Sequence, residues 1–145
     1  MPDETIHAVR VTYEREVYRD FEVRGSESLY NFAKAIVAAF DFDFDHAFGF
    51  FAGTTGNIWR SPVRYELFAD MGVRDGAAKS VKRTKVEEAF PKPGSKMRFL
   101  FDYGDEWQFK VEVTAIRPHQ AGTKYPRVVK AVGEAPSQYG ERDDA

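Results

Sequence analysis

The chain has 145 residues, of which 21 are basic and 23 acidic, giving a net charge of −2 at pH 7. This length suits one domain, and the hydrophobic fraction of 43% supports a core that needs no disulfide or structural metal. The absence of cysteine excludes disulfides, thiolate catalysis and cysteine-based zinc sites, while the balanced charge disfavours a general nucleic-acid coat protein.

The N-terminal residues Met1-Pro2-Asp3-Glu4 are acidic and lack the apolar segment of a signal peptide. The sequence contains no run of 18 apolar residues, which is about the length that a membrane-spanning helix needs. We therefore expect a cytoplasmic protein without a membrane partner.

The first half of the chain predicts two strands, a helix and a third strand. Apolar residues alternate over 6–13 and 17–23, which indicates an antiparallel hairpin. Apolar residues recur at helical spacing over 28–40, after a Gly-Ser-Glu-Ser sequence that offers an N-cap. The acidic segment that follows is typical of a turn, and 47–52 has the composition of a strand.

The second half predicts short helices and a second hairpin. Ser61-Pro62 indicates a helix over 62–71, and a capping-box pattern indicates another that begins near residue 84. Alternation over 96–116 predicts a hairpin that turns at 103–106, and a short extended segment follows near 125–130.

The order of elements is ββαβ, a helical insertion, ββ and a tail. It predicts an α+β fold in which one main helix packs across a mixed sheet of about five strands. By analogy, the ββαβ opening is similar to that of a β-grasp, ubiquitin-like fold. We expect a single domain over 1–145, with a core at about 5–130 and a flexible C-terminal tail from about 131 to 145.

Several segments together resemble the plasmid pRiA4b ORF-3-like family, some members of which are called TnpR resolvases. Residues 38–48 are similar to the family's helix end, acidic turn, histidine and aromatic strand, and 99–107 to its run of Asp-aromatic-Gly-Asp-x-Trp. Residues 125–127 (Tyr-Pro-Arg) and 133–136 (Gly-Glu-Ala-Pro) complete the resemblance, which covers most of 6–140.

The chain departs from the family at positions where the family often has metal-ligand types. Phe109 stands where a histidine is common, and Val128 stands where a cysteine is common. The family supplies no established activity. The resolvase label implies a nucleophilic serine, but Ser26 and Ser28 are explained as helix caps.

The hairpin turn carries the first candidate binding residues, Asp102, Asp105 and Trp107. Two carboxylates beside an aromatic ring could bind a cation, a polar ligand or a partner protein. The alternative, which turn chemistry favours, is that the carboxylates bond to backbone N–H groups while Trp107 packs on the sheet.

A second cluster consists of Asp41, Asp43, Asp45 and His46. Carboxylates with one histidine could ligate a divalent metal. Alternating residues of an extended chain point in opposite directions, however, and no second histidine lies at helical spacing. The sequence therefore favours a solvated acidic turn, and we predict no metal ligands, no cofactor and no catalytic residues, with His46 kept as a candidate binding residue.

Two further groups complete the candidates. Tyr125 and Arg127 flank a proline, and Arg127 could pair with Asp102 or Asp105 to fix the tail to the hairpin. The basic stretch could contact phosphates, although a solvated loop is the simpler interpretation. Its members are Arg74, Lys79, Lys82, Arg83 and Lys85.

The leading functional prediction is a small, non-enzymatic binding or adaptor module that acts on protein or peptide through its sheet edge or aromatic surface. One alternative is a DNA-associated protein of a mobile element that uses residues 74–85. A second alternative is a metal-dependent hydrolase that uses Asp45, His46, Asp102 and Asp105.

Overall fold

The architecture is one large sheet, seen in a computed structural model that describes residues 4–72 and 78–138. Within these residues the sheet has eight strands: β1 (Thr5–Glu14), β2 (Val17–Arg24), β3 (Phe48–Ala52), β4 (Arg64–Glu66), β5 (Ala78–Lys79), β6 (Lys96–Phe101), β7 (Trp107–Pro118) and β8 (Arg127–Val132). The helices are α1 (Leu29–Ala39), α2 (Leu67–Asp70) and α3 (Val86–Ala89), and Ile58–Arg60 form a 3₁₀ turn.

The strand order is β5-β4-β3-β6-β7-β1-β2-β8. Neighbours are antiparallel except β4 and β5, which are parallel. The two predicted hairpins are β1–β2 and β6–β7, and they lie side by side because β7 pairs with β1. The edges of the sheet are the two-residue β5 and the six-residue β8.

The predicted architecture of about five strands and one main helix is wrong. The sheet has eight strands and the described helices are three, two of them four residues long, so the protein is mostly sheet. Residues 64–66 pair with β3 instead of continuing the predicted helix, because a non-local ladder outweighs the local Ser-Pro signal. The analogy with a β-grasp fold is also wrong, because β1 lies between β2 and β7 and is antiparallel to both.

Helix α1 seals one face of the sheet, which we call the helix face. The Ser28 hydroxyl accepts the N–H of Asn31 at 3.0 Å and caps the N-terminus. The apolar stripe of α1 is fully buried against side chains from β1, β2, β3, β6 and β7. The buried residues of the stripe are Leu29, Phe32, Ala33, Ile36 and Val37.

Most phenylalanines belong to this core and are buried. The rings of Phe32 and Phe50 stack at 5.9 Å, and Phe40 lies 4.8 Å from Phe109. Such pairs add stabilisation beyond the area they bury. No described helix combines the length and the apolar character needed to cross a membrane.

The opposite face of the sheet, the open face, is largely polar. A row of alternating charges crosses five adjacent strands in register: Lys96, Glu112, Arg10, Asp20 and Lys130. The Arg10 Nε donates to Asp20 Oδ1 at 2.8 Å. Because opposite charges face each other across each strand pair, this row stabilises the register of the sheet.

Candidate functional site

The structure brings two of the predicted binding residues together, His46 and Asp102. His46 precedes β3 and Asp102 follows β6, and these strands pair. The Nε2 atom of His46 lies 3.5 Å from Asp102 Oδ2 and 3.4 Å from Asp45 Oδ1. The His46–Asp102 pair thus lies at the end of the β3–β6 ladder, where Asp102 also donates its N–H to the carbonyl of Ala47.

Asp102 has a structural task in the hairpin turn. Its φ is 70°, its carboxylate accepts the N–H of Gly104 at 3.0 Å and that of Asp105 at 3.3 Å, and the residue is 8% exposed. An aspartate that bonds to backbone two and three residues ahead is a standard way to set a turn. For Asp102, the geometry therefore supports the turn chemistry that the sequence favoured.

Asp105 and Trp107 lie in different surroundings. Asp105 is exposed in the turn. Trp107 lies on the helix face, with its ring 5.0 Å from Phe42 and 5.6 Å from Tyr13. Its Nε1 is buried and has no hydrogen-bond partner among residues 4–72 and 78–138. The ring packs on the sheet as the simpler alternative predicted.

The acidic turn contacts a residue that sequence reasoning missed, Gln138. Its Oε1 accepts the N–H of Asp43 at 2.6 Å, and its Nε2 donates to Asp43 O and Asp45 Oδ1, both at 3.2 Å. Gln138 is 7% exposed, although it belongs to the segment 131–145 for which we predicted flexibility. That flexibility stays a prediction, and residues 139–145 lie outside the described part.

Carboxylates and histidines do not converge further in the described ranges 4–72 and 78–138. No group of three or more histidine, cysteine, aspartate or glutamate side chains there could hold a metal ion. Asp41 is exposed with φ 60°, and the buried His7 has its Nε2 2.8 Å from the carbonyl oxygen of Phe90. The metal-dependent hydrolase alternative stays a prediction, and the described residues offer no set of metal ligands for it.

Tyr125 precedes β8 and Arg127 begins it, and β8 lies three strands away from β7, which follows the hairpin turn. The predicted pairing of Arg127 with Asp102 or Asp105 is wrong, because Arg127 Nε donates to Glu22 Oε1 at 2.7 Å. The reason is the register of β8 on β2, which sets Arg127 opposite Glu22. The ring of Tyr125 lies 5.4 Å from that of His119.

The structure describes four of the five residues of the basic stretch, and all four are exposed. Arg74 lies outside the described residues. The ammonium groups of Lys79 and Lys82 lie over the rings of Tyr65 and Tyr30, at 5.9 and 4.9 Å from their centroids. The backbone N–H groups of Arg83 and Lys85 donate to Ser80 Oγ and Glu88 Oε1 in the turns that lead into α3, and both residues are exposed. Phosphate contact by this stretch stays a prediction.

The sheet edge offers a surface that the sequence did not single out by residue. In the part of the chain that the structure describes, strand β8 pairs with β2 on one side only. Two of its apolar side chains are exposed, Val128 by 45% and Val129 by 50%. A cavity of about 340 Å³ lies between β8 and α1. We call it the edge groove, and it is lined by Phe21, Ala35, Ala38, Ala39, Pro126, Arg127 and Val128.

Small side chains on α1 open this groove. Ala35, Ala38 and Ala39 share one side of the helix at helical spacing, and Ala38 is exposed. Phe21, which pairs with Val128 across the β2–β8 ladder, lies 1% exposed. The alanine spacing was visible in the sequence, but its meaning depends on β8 being an edge, which only the strand order reveals.

Comparison with known proteins places the chain among relatives without a stated function. The model of a family described as "Plasmid pRiA4b ORF-3-like protein" matches residues 6–139, which confirms the resemblance seen in the sequence. A crystal structure of the protein of unknown function MM3350 from Methanosarcina mazei Go1 is similar, with a TM-score of 0.70. The identity is 22% over 90% of this chain and 71% of that chain, so the likeness shows the fold. No curated protein matches.

Proposed function

The chain belongs to the plasmid pRiA4b ORF-3-like protein family, and we propose that it is a small binding module that takes an extended peptide segment of a partner protein along β8. The observation that carries the proposal is the juxtaposition of an edge strand with exposed valines and the edge groove beside it. Addition of a strand to a sheet edge is a recurring mode of peptide recognition.

The backbone of β8 supplies the general part of such binding. Its far side has no neighbouring strand among the described residues, so its outward N–H and C=O groups can pair with a peptide. Val128 and Val129 lose their exposed apolar area when a strand docks there. An edge of six residues is long enough for several backbone hydrogen bonds, whereas the opposite edge, β5, has two residues.

The edge groove supplies the specific part. A peptide strand on β8 turns alternate side chains towards the helix face, where the groove is walled by alanines and floored by Phe21. A cavity of about 340 Å³ with this lining fits an apolar side chain of the peptide.

The charges around the groove favour an acidic peptide. Lys34 is exposed one turn before Ala38 on α1, and Arg127 at the start of β8 lines the groove. The residues that line the groove include no acidic side chain. Because complementary charge steers association and selects partners, we expect an apolar residue flanked by aspartate or glutamate.

The experiment is selection of peptides from a random display library on the full chain, followed by affinity measurement with the synthesised winners. Ala38→Arg fills the groove from an exposed helix position and keeps helix propensity. Val129→Pro removes a backbone donor at the residue where the β2–β8 register shifts. Ala121→Arg, at an exposed position in the loop before β8, is the matched control.

We expect the winning peptides to carry an apolar residue beside acidic ones, and to bind both groove and edge variants at least about 10-fold more weakly, the factor that corresponds to 1.4 kcal/mol. The Ala121→Arg variant should bind like the parent chain. Peptides that bind all three variants equally, or a selection that yields no binder, would refute the proposed site.

A further inference from the structure

We propose a second binding site on the open face, which takes a small molecule that carries a carboxylate or phosphate group on a flat apolar body. It is a cavity of about 440 Å³, which we call the arginine pocket. Its lining comes from the N-terminal part of β1, from β2, and from the end of β7 with the loop after it: Ile6, Glu22, Arg117, Pro118, His119, Gln120 and Tyr125. It shares no lining residue with the edge groove, although Arg127 of that groove contacts Glu22 in this one.

The first argument is uncompensated positive charge. Arg117 and Arg127 both contact the single carboxylate of Glu22, Arg127 Nη2 at 2.6 Å from Oε1 and Arg117 Nη1 at 3.3 Å from Oε2. A third guanidinium, that of Arg24, is paired with Glu4 and lies 5.7 Å from the Tyr125 ring. Three cations against two carboxylates leave the region positive, which favours an anionic ligand.

Arg117 is the cation with donors to spare. Its 3.3 Å contact with Glu22 is its one hydrogen bond to the described residues, and its side chain is 56% exposed. A guanidinium presents five N–H donors in a planar fork that matches carboxylate and phosphate oxygens. Arg127, by contrast, holds Glu22 Oε1 with both Nε at 2.7 Å and Nη2 at 2.6 Å. We infer that Arg117 binds the anionic group.

The rest of the pocket suits a flat apolar body. Ile6 forms an apolar floor and is 2% exposed, although it belongs to the largely polar open face. The rings of Tyr125 and His119 stand beside it with centroids 5.4 Å apart and planes tilted by 62°. His119 Nε2 is buried and has no hydrogen-bond partner in the described chain. An aromatic ring of a ligand against Tyr125 would gain both stacking and burial.

The test is a titration of the full chain, isotope-labelled for NMR, with four probes: benzoate, phenyl phosphate, acetate and inorganic phosphate. We expect saturable shifts at the backbone amides of Ile6, His119 and Tyr125 with benzoate or phenyl phosphate. Which of these two binds more tightly decides between a carboxylate and a phosphate ligand, and either result supports the site. The probes without a ring should bind at least about 10-fold more weakly.

Two variants locate the anion. Arg117→Gln should lower the affinity for the tighter-binding aromatic probe by at least about 10-fold, because a charge-assisted hydrogen bond is lost. Lys110→Gln, which removes an exposed cation elsewhere on the open face, should leave its affinity unchanged. Shifts that do not saturate, equal loss in both variants, or equal binding of inorganic phosphate and phenyl phosphate would overturn the proposal. The Ala38→Arg variant closes only the edge groove. If this variant binds the aromatic probes as well as the parent chain does, the arginine pocket is separate from the peptide site.

Discussion

The Nε atom of Arg19 donates to the carbonyl oxygen of Ala39 at 3.1 Å and so ties β2 to the last residue of α1. Its Nη1 donates to the carbonyls of Tyr18 and Val132, both at 2.9 Å. Arg19 is 7% exposed, and these partners are backbone oxygens at a helix C-terminus and a strand end. A cation there also complements the negative end of the helix dipole. One side chain therefore holds both walls of the edge groove.

We expect Arg19→Met to lower the free energy of unfolding by about 2–4 kcal/mol, because three bonded carbonyls lose a charged donor. Arg19→Lys should recover only part of this loss, since one ammonium lacks the planar fork. Urea unfolding measures both variants. Arg15→Met removes an exposed arginine from the neighbouring turn and should cost less than about 0.5 kcal/mol. Equal effects of Arg15→Met and Arg19→Met would contradict this role.

The segment after β8 crosses the β1–β2 turn at Gly133. Gly133 has a φ of 82°, and an added Cβ would lie 2.9 Å from Val17 Cα and closer still to the carbonyl oxygen of Glu16. Both obstacles are backbone, which cannot rotate away. We expect Gly133→Ala to cost more than 2 kcal/mol, roughly the strain of the left-handed conformation plus the clash.

Gly122→Ala is the matched control for Gly133→Ala. Gly122 has a φ of 83°, but an added Cβ there meets nothing within 4 Å. It should cost about 1 kcal/mol from conformation alone. Thermal unfolding of both variants measures the difference, and a Gly122→Ala loss as large as that of Gly133→Ala would mean that the close approach is unimportant.

Local patterns predicted the local elements of this fold. Alternation identified β1, β2, β6 and β7, and helical spacing identified α1, because each pattern depends on neighbours within a few residues. Residues 64–66 and 78–79 form strands only through pairing with β3 and with each other, so their own sequence carries little signal.

The candidate sites also contain features that local sequence predicts and features that depend on the strand order. Asp102 in its turn was predictable from turn chemistry. The pairing of Arg127 with Glu22 was not, because it depends on β8 lying next to β2. The edge groove and the arginine pocket both depend on that strand order, which short-range periodicity does not specify.

Substitutions at Asp102 distinguish a turn role from a ligand role. Asn keeps an acceptor oxygen and tolerates the left-handed conformation that Asp102 adopts at φ 70°. We therefore expect Asp102→Asn to cost about 1 kcal/mol or less and Asp102→Ala about 2–3 kcal/mol, because Ala leaves the N–H groups of Gly104 and Asp105 without their acceptor. Urea unfolding measures both. Asp105→Ala, at the exposed turn position, serves as the control. If Asp102→Ala is as stable as the parent chain, the carboxylate is not needed for the turn.

We expect Glu4 to contribute to the fall in the free energy of unfolding at acidic pH. Its pKa lies below the ordinary value of 4.5, first because Ser26 Oγ donates to Glu4 Oε2 at 2.7 Å and then because Arg24 is close. A carboxyl whose pKa is lower in the folded chain stabilises the fold above about pH 4.5, and this contribution is lost as the pH falls through the folded pKa.

Glu4→Gln should therefore lower the free energy of unfolding at pH 7 by no more than about 1 kcal/mol, the range of exposed ion pairs. At pH 3 the difference from the parent chain should shrink, because protonation brings the parent carboxyl closer to the neutral amide. Urea unfolding from pH 3 to pH 7 measures this slope, with Glu16→Gln in the exposed β1–β2 turn as the control. A difference that is the same at both ends of the range would show that Glu4 contributes through packing and not through its charge.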